Sequence, residues 1–291
     1  MKKVTVMTDS NSGITQSEGK KLGIKVVPMP FTIDGEEYYE DINLTQEGFY
    51  EKLKSGANVS TSQPSIAYVS SIWDELLTEY DEIVYIPMSS GLSKSCDAAT
   101  LEAKANYAGK VYVVNNQRIS VTQRQTVLEA IKMASNGLTG AEIQAKLEEQ
   151  KMNSDIFIMV DTLAYLKKGG RITPAAAAAG QLLKIKPILQ IKGEKLDKYR
   201  MMNRTVSNAK RIMIDAAKES METLKQIDGN DDNVVINLAY TGTDTTLVLE
   251  FLNEVKEEFP TKDIYFAPLS LSVSCHIGDG ALAITITKET I

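Results

Sequence analysis

Histidine and cysteine are nearly absent from this 291-residue chain, which carries one histidine, His276, and two cysteines, Cys96 and Cys275. A metal site needing two histidines is excluded, and so is an HExxH helix. The two cysteines stand far apart and in no CxxC pair. Neither a disulfide framework nor a structural zinc site is expected, and a reducing, cytoplasmic compartment fits. Long hydrophobic runs are missing as well: none approaches the ~18 apolar residues that a spanning helix requires. Lys2 and Lys3 are not followed by the apolar segment of a signal peptide. Positive charge is in deficit, with Lys plus Arg at 32 against 38 for Asp plus Glu, a net −6. Nucleic-acid binding needs a basic face and is therefore disfavoured. Gly13 and Gly19-Lys20 have a spacing one residue too long for a phosphate loop, and Lys21 stands where that loop needs a hydroxyl. No GxGxxG follows a strand and no GxSxG occurs. A stand-alone ATP-using enzyme, dehydrogenase or metallohydrolase has little support.

Apolar residues supply 43% of the chain, ample for a sizeable core. At about 150 residues per domain, the length suggests two domains. Short β-branched runs at 3–8, 25–30, 83–88, 111–115, 156–160, 234–240, 264–267 and 281–287 read as strands, several apolar on both faces as in a buried parallel sheet. Between them lie helical stripes. Val69, Ile72, Trp73, Leu76, Leu77 and Tyr80 form one, and Leu247, Phe251, Val255 and Phe259 another. Capping boxes are read at Thr15–Glu18 and Thr139–Glu142, with Gly23 and Gly56 at helix ends. Residues 1–155 thus read as an α/β domain with a parallel sheet layered by helices. In 156–291 a hairpin is expected around Gly193, and strand 264–267 is expected to pass to 281–287 with no helix between them. That half reads as an α+β domain with a mixed or antiparallel sheet. Residues 175–179, five alanines, read as a packed helix start after Pro174.

Four hydroxyl-rich segments fall where strands of the first half end: Thr8-Asp9-Ser10-Asn11-Ser12-Gly13, Ser60-Thr61-Ser62-Gln63-Pro64-Ser65, Ser89-Ser90-Gly91-Leu92-Ser93-Lys94-Ser95, and 115–120. Each one alone reads as caps and turns. Ligands of open α/β sheets bind outside the carboxyl ends of strands, so four such loops on one edge point to a site for a small anionic headgroup. His276, in Ser274-Cys275-His276-Ile277-Gly278-Asp279-Gly280, reads as a loop histidine. Lys167-Lys168-Gly169-Gly170-Arg171-Ile172 reads as a mobile basic loop. Trp73 and Tyr80 are read as core residues, and both cysteines as small buried hydrophobes.

Taken as a set and in order, Thr8-Asp9-Ser10, Thr61-Ser62-Gln63-Pro64-Ser65, Ser89-Ser90-Gly91-Leu92-Ser93, Gly169-Gly170-Arg171-Ile172, Ile185-Lys186-Pro187-Ile188-Leu189 and His276-x-Gly-x-Gly-Ala281-Leu282 resemble the DegV family, the bacterial fatty-acid-binding FakB proteins. The resemblance covers nearly the whole chain. It implies two domains gripping a long-chain fatty acid, with no cofactor and no catalytic residue of the chain's own. It also implies a partner, an ATP-dependent kinase subunit of the FakA type, which converts the bound acid to an acyl phosphate for phospholipid synthesis. Thr61 and Ser93 match the positions that bind the carboxylate. Arg171 and His276 match positions that orient the headgroup and engage the partner. Lys94 and Cys96 replace a glycine and an aromatic, Asn115-Asn116 replaces a common Asp-Ser pair, and Asp279 and Ala283 also depart from the commonest forms.

The chemistry of that implied role is coherent. Burying ~15 methylenes at ~0.8 kcal/mol each gives on the order of 12 kcal/mol before association costs. Hydrogen bonds to a charged headgroup add roughly 1.5–3 kcal/mol apiece. A carboxylic acid is ionised at pH 7 and needs no general base. Two other readings use the same crevice: a hydrolase or small-molecule kinase acting alone, and a regulatory module sensing another carboxylate.

Overall fold

The computed structural model describes residues 2–179, 185–193, 196–200 and 204–290. The first half runs β1 (Val4–Asp9), α1 (Gln16–Leu22), β2 (Lys25–Val27), β3 (Phe31–Ile33), β4 (Glu36–Tyr38), α2 (Gln46–Lys54), β5 (Val59–Thr61), α3 (Ile66–Leu76), β6 (Glu82–Ile86), α4 (Ser95–Asn106), β7 (Val111–Val113), α5 (Ser120–Ser135) and α6 (Gly140–Glu149). The second runs β8 (Ser154–Met159), α7 (Ala164–Gly169), α8 (Pro174–Ala179), β9 (Ile188–Ile191), β10 (Leu196–Arg200), α9 (Val206–Lys225), β11 (Val234–Tyr240), α10 (Thr246–Glu258), β12 (Ile264–Pro268), α11 (Leu271–Ile277) and β13 (Leu282–Lys288). All eight expected strands form, and the fold is α/β with two main sheets.

The first sheet is parallel, in the order β2-β1-β6-β7. Its strands are apolar on both faces because helices cover both. Val6, Val84 and Ile86 pack with α5 and α6, while Met7, Ile83 and Tyr85 pack with α3 and α4 around fully buried Trp73. The second sheet is mixed, in the order β10-β9-β8-β13-β11-β12, with β11 and β12 parallel and its other pairs antiparallel. One face, with Leu238, Leu282 and Ile284, buries α9 and α10. The opposite face, one residue out of register, carries Ile158, Ala239, Ala267 and Ala283. Those three alanines lie side by side across β12, β11 and β13, where the register pairs Ala267 with Ala239 and Ala239 with Ala283. The small side chains of Ala239 and Ala283 leave room above β11 and β13.

Three expectations are corrected. First, α11 lies between β12 and β13, so the passage from one strand to the next is not direct. Leu271-Ser272-Val273-Ser274 alternates apolar and polar like a strand, but nearly every residue of α11 is buried and no amphipathic stripe marks it. Tertiary packing overrides the period. His276 therefore sits in the last turn of a helix rather than in a loop. Second, Lys167–Gly169 ends α7, and Gly170 caps it in the left-handed region at φ 69°, so the basic segment is helix terminus, not a mobile loop. Third, the box at Thr15 is one-sided. Thr15 accepts from Glu18 N, but the Glu18 carboxylate pairs with Arg124 at 2.6 Å. The Thr139–Glu142 box is reciprocal. A third sheet, antiparallel β4-β3-β5, was not foreseen because Glu36-Glu37-Tyr38 and Val59-Ser60-Thr61 are mostly polar and Phe31-Thr32-Ile33 is brief, so no apolar run marks them. The hairpin forms as β9 and β10 with Gly193 at φ 93°; its expected second strand, 196–202, runs on to Met201 and Met202, which lie outside the described residues.

Candidate functional site

The room above Ala239 and Ala283 is a cavity of about 1080 Å³, counting the open space at its mouth. Its walls are mostly apolar: Ile156, Ile158, Ala239 and Ala283 from the mixed sheet, and Met29, Met88, Ile119 and Val121 from the first half. Each of the four hydroxyl-rich segments reaches it, through Asn11, through Thr61 with Ser62 and Gln63, through Ser93 with Lys94, and through Ser120.

All four residues matched to the headgroup line this cavity; Thr61 is tied to His276, and Arg171 to the loop that holds Ser93. Thr61 ends β5, which is registered on β3 by the pairing of Thr61 with Phe31. Its Oγ1 lies 2.8 Å from His276 Nε2. Burial, and then the positive charge of Arg171, hold the His276 imidazole down to about 4, so the ring is neutral at pH 7. The ring packs so closely on Gly169 that a Cβ there would lie 2.1 Å from Nδ1. That contact is the reason for the first glycine of the Gly-Gly pair; the left-handed cap is the reason for the second. Arg171 Nε donates to Leu92 O at 3.3 Å, and its guanidinium also reaches Gly169 O. Arg171 thereby braces the loop that ends in Ser93. Ser93 Oγ accepts from Ser95 N at 3.2 Å and lies 3.0 Å from Ser95 Oγ, which fixes it at the start of α4.

Helix α11, which carries His276, is held by first-half residues along its length. Glu40 accepts from Leu271 N at 2.9 Å, Asn11 Oδ1 accepts from Ser270 Oγ at 2.9 Å and also from Ser272 Oγ, and Tyr50 Oη donates to Ser274 Oγ at 2.9 Å. The Glu40 carboxyl is pushed up to about 7 by burial, against the hydrogen bonds from Leu271 N and Gln46. Sequence reasoning missed Glu40 and Tyr50, since a lone acid among the charges of 34–41 carries no signal. The serines at 270, 272 and 274 were visible, but only the helix shows that they face one partner surface. Cys96 and Cys275 are free and buried, each thiol pushed up to about 12 by burial. Among the described residues no group of His, Cys, Asp or Glu could hold a metal ion, and no helix is long and apolar enough to cross a membrane.

Known proteins share this architecture. A family model for uncharacterised proteins of the DegV family matches residues 3–289. Protein DegV of Bacillus subtilis (strain 168) is 28% identical over 287 residues, covering 97% of this chain and 98% of that protein. A DegV domain-containing protein of Staphylococcus aureus (strain N315) is 27% identical over 293 residues, covering 99% and 100%. Among solved structures, a fatty-acid-binding DegV family protein from Thermus thermophilus matches with TM-score 0.87 at 26% identity, covering 99% of this chain and 100% of that one. The structure of DegV from Bacillus subtilis, a fatty-acid-binding protein, matches with TM-score 0.83 at 26% identity and the same coverage.

Proposed function

Because the chain belongs to the DegV family, we propose that it binds a long-chain fatty acid in the cytoplasm and presents the carboxylate to an ATP-dependent kinase subunit of the FakA type. In this reading residues 1–155 and 156–291 are two domains that close on the acid. The observation that carries it is one mostly apolar cavity lined by the hydrogen-bonded Thr61–His276 pair and by Ser93. The tail supplies affinity by burial; the hydroxyls of Thr61 and Ser93 donate to the carboxylate and fix which end is presented. Hydroxyl donors hold a carboxylate without the bidentate lock of an arginine, which leaves an oxygen free to react.

The bound acid is already ionised, so its oxygen attacks the γ-phosphorus of the partner's ATP directly. An acyl oxygen–phosphorus bond forms, the bond to the bridging oxygen breaks, and ADP leaves. Neutral His276 orients Thr61 and contributes no charge at pH 7. Arg171 lines the same cavity as Lys94, and in this reading it steadies the phosphate or an acidic partner surface.

Denaturing the purified protein and identifying released lipid by mass spectrometry tests the reading. About one long-chain fatty acid per chain is expected. A protein that releases no acyl lipid and takes up no added palmitate overturns it. With the kinase added, Arg171→Ala should lower acyl-phosphate formation tenfold or more while fatty-acid affinity stays within threefold. Lost binding in that variant would refute the division of roles.

A further inference from the structure

The charges that reach the cavity are of one sign. Lys94 and Arg171 line it, and no aspartate or glutamate among the described residues does. His276, the third basic residue there, is neutral at pH 7. Arg171 is half-buried, and its guanidinium donates to backbone carbonyls, Leu92 O at 3.3 Å and Gly169 O. Among the described residues no carboxylate offsets its charge. Lys94 follows Ser93 on the loop that Arg171 braces. Its side chain is 82% exposed, and Nζ donates to Asp97 Oδ2 at 3.0 Å. An exposed pair of this kind contributes little, so the ammonium leaves Asp97 for a stronger partner at small cost. Both cations are thus anchored on the segment that carries Ser93, one through Leu92 O and the other through the chain itself.

A fatty-acid carboxylate carries a single negative charge, and in the reading above the hydroxyls of Thr61 and Ser93 hold it. Two cations at one mouth exceed what that headgroup needs. A phosphoryl group carries close to two charges and presents three strong acceptor oxygens, which matches a lysine ammonium and a guanidinium together. The mostly apolar walls keep such charge interactions from being fully screened by water. We propose that Lys94 is a headgroup-specificity residue that, with Arg171, selects a doubly charged phosphoryl headgroup on the long chain over the free acid. This rests on the fatty-acid reading above and deepens it. The protein then holds the acyl phosphate more tightly than the acid it is made from, and keeps that reactive product until an acyl-transfer reaction consumes it.

The test is displacement of a fluorescent fatty acid from delipidated protein at pH 8 by palmitate, hexadecyl phosphate and hexadecyl sulfate. The two esters share chain and tetrahedral shape, but the phosphate carries about two charges and the sulfate one. Hexadecyl phosphate should bind tenfold or more tighter than either of the others. Lys94→Gln should cut that ratio to threefold or less, and Lys94→Arg, which keeps the charge, should retain it. Sulfate binding as tight as phosphate overturns the proposal, since shape rather than charge is then being read. A ratio that survives in Lys94→Gln overturns the role of Lys94. Lysophosphatidic acid, whose phosphate stands beyond a glycerol spacer, should bind no tighter than palmitate; if it matches hexadecyl phosphate, the site takes a lysophospholipid and the assignment to acyl phosphate is overturned. If palmitate binds while hexadecyl phosphate gains nothing, this inference alone falls. If neither binds, the fatty-acid reading falls first and takes this inference with it.

Discussion

Filling the alanine row should close the cavity without unfolding the protein. Ala283 is 2% exposed, lines the cavity, and sits between Ile158 of β8 and Ala239 of β11 in the register of the mixed sheet. Ala283→Phe adds an aromatic ring on the open side of that row. A ring there takes the place of about five methylenes of ligand, and at ~0.8 kcal/mol each the lost burial is about 4 kcal/mol. That corresponds to roughly three orders of magnitude in Kd. Overpacking a filled core costs about 1–3 kcal/mol, and this ring enters space already present, so the stability loss should fall at or below that range. Fatty-acid displacement titrations and urea denaturation of delipidated protein measure the two terms separately. If Ala283→Phe binds within threefold of wild type while remaining folded, the acyl chain does not lie over the alanine row.

Two further expectations concern the headgroup. Gly169→Ala gains the helix propensity of alanine, up to about 1 kcal/mol, but places a Cβ 2.1 Å from His276 Nδ1. We expect the clash to win, with a net destabilisation on the order of 1–2 kcal/mol and a displaced ring; a raised urea midpoint would show that the imidazole swings away freely. The second is a pH effect. With its folded value held near 4 against an ordinary 6.5, His276 is neutral when folded and protonated when unfolded across that window. The unfolded state then binds more protons, so stability falls as pH drops from 6.5 toward 4, by on the order of 3 kcal/mol. Asp9, pushed up to about 6 by burial, acts with the opposite sign, losing stability as pH rises from 3.8 toward 6. The difference between wild type and His276→Gln isolates the histidine. A wild-type-minus-variant curve flat between pH 4.5 and 7.5 would sink the assignment.

Much of the fold is legible in the chain because it rests on local periodicity. The eight main strands show as β-branched runs, and helices α3 and α10 show as apolar stripes. The Thr139 box and the Gly23 cap mark two helix ends through chemistry confined to a few neighbouring residues. Elements too short for a period were lost, as with β3, β4 and β5. Helix α11 was missed because it is buried nearly all round, its serines and His276 taking Asn11, Tyr50 and Thr61 as partners, so no 3.6-residue stripe marks it.

Sequence by itself determined the parts: two kinds of sheet, four hydroxyl-bearing loops, a lone histidine and a Gly-Gly-Arg segment. Those follow from composition and spacing, which act over a few residues. Only the tertiary structure decided that Thr61 and His276, 215 positions apart, share a hydrogen bond. It alone decided that Ala239 and Ala283, from separate strands, align beneath an open space, and that residues from all four hydroxyl-bearing loops line it. A cavity is where packing stops, and no short-range pattern along the chain records the distance between surfaces that sheet register and helix placement leave apart.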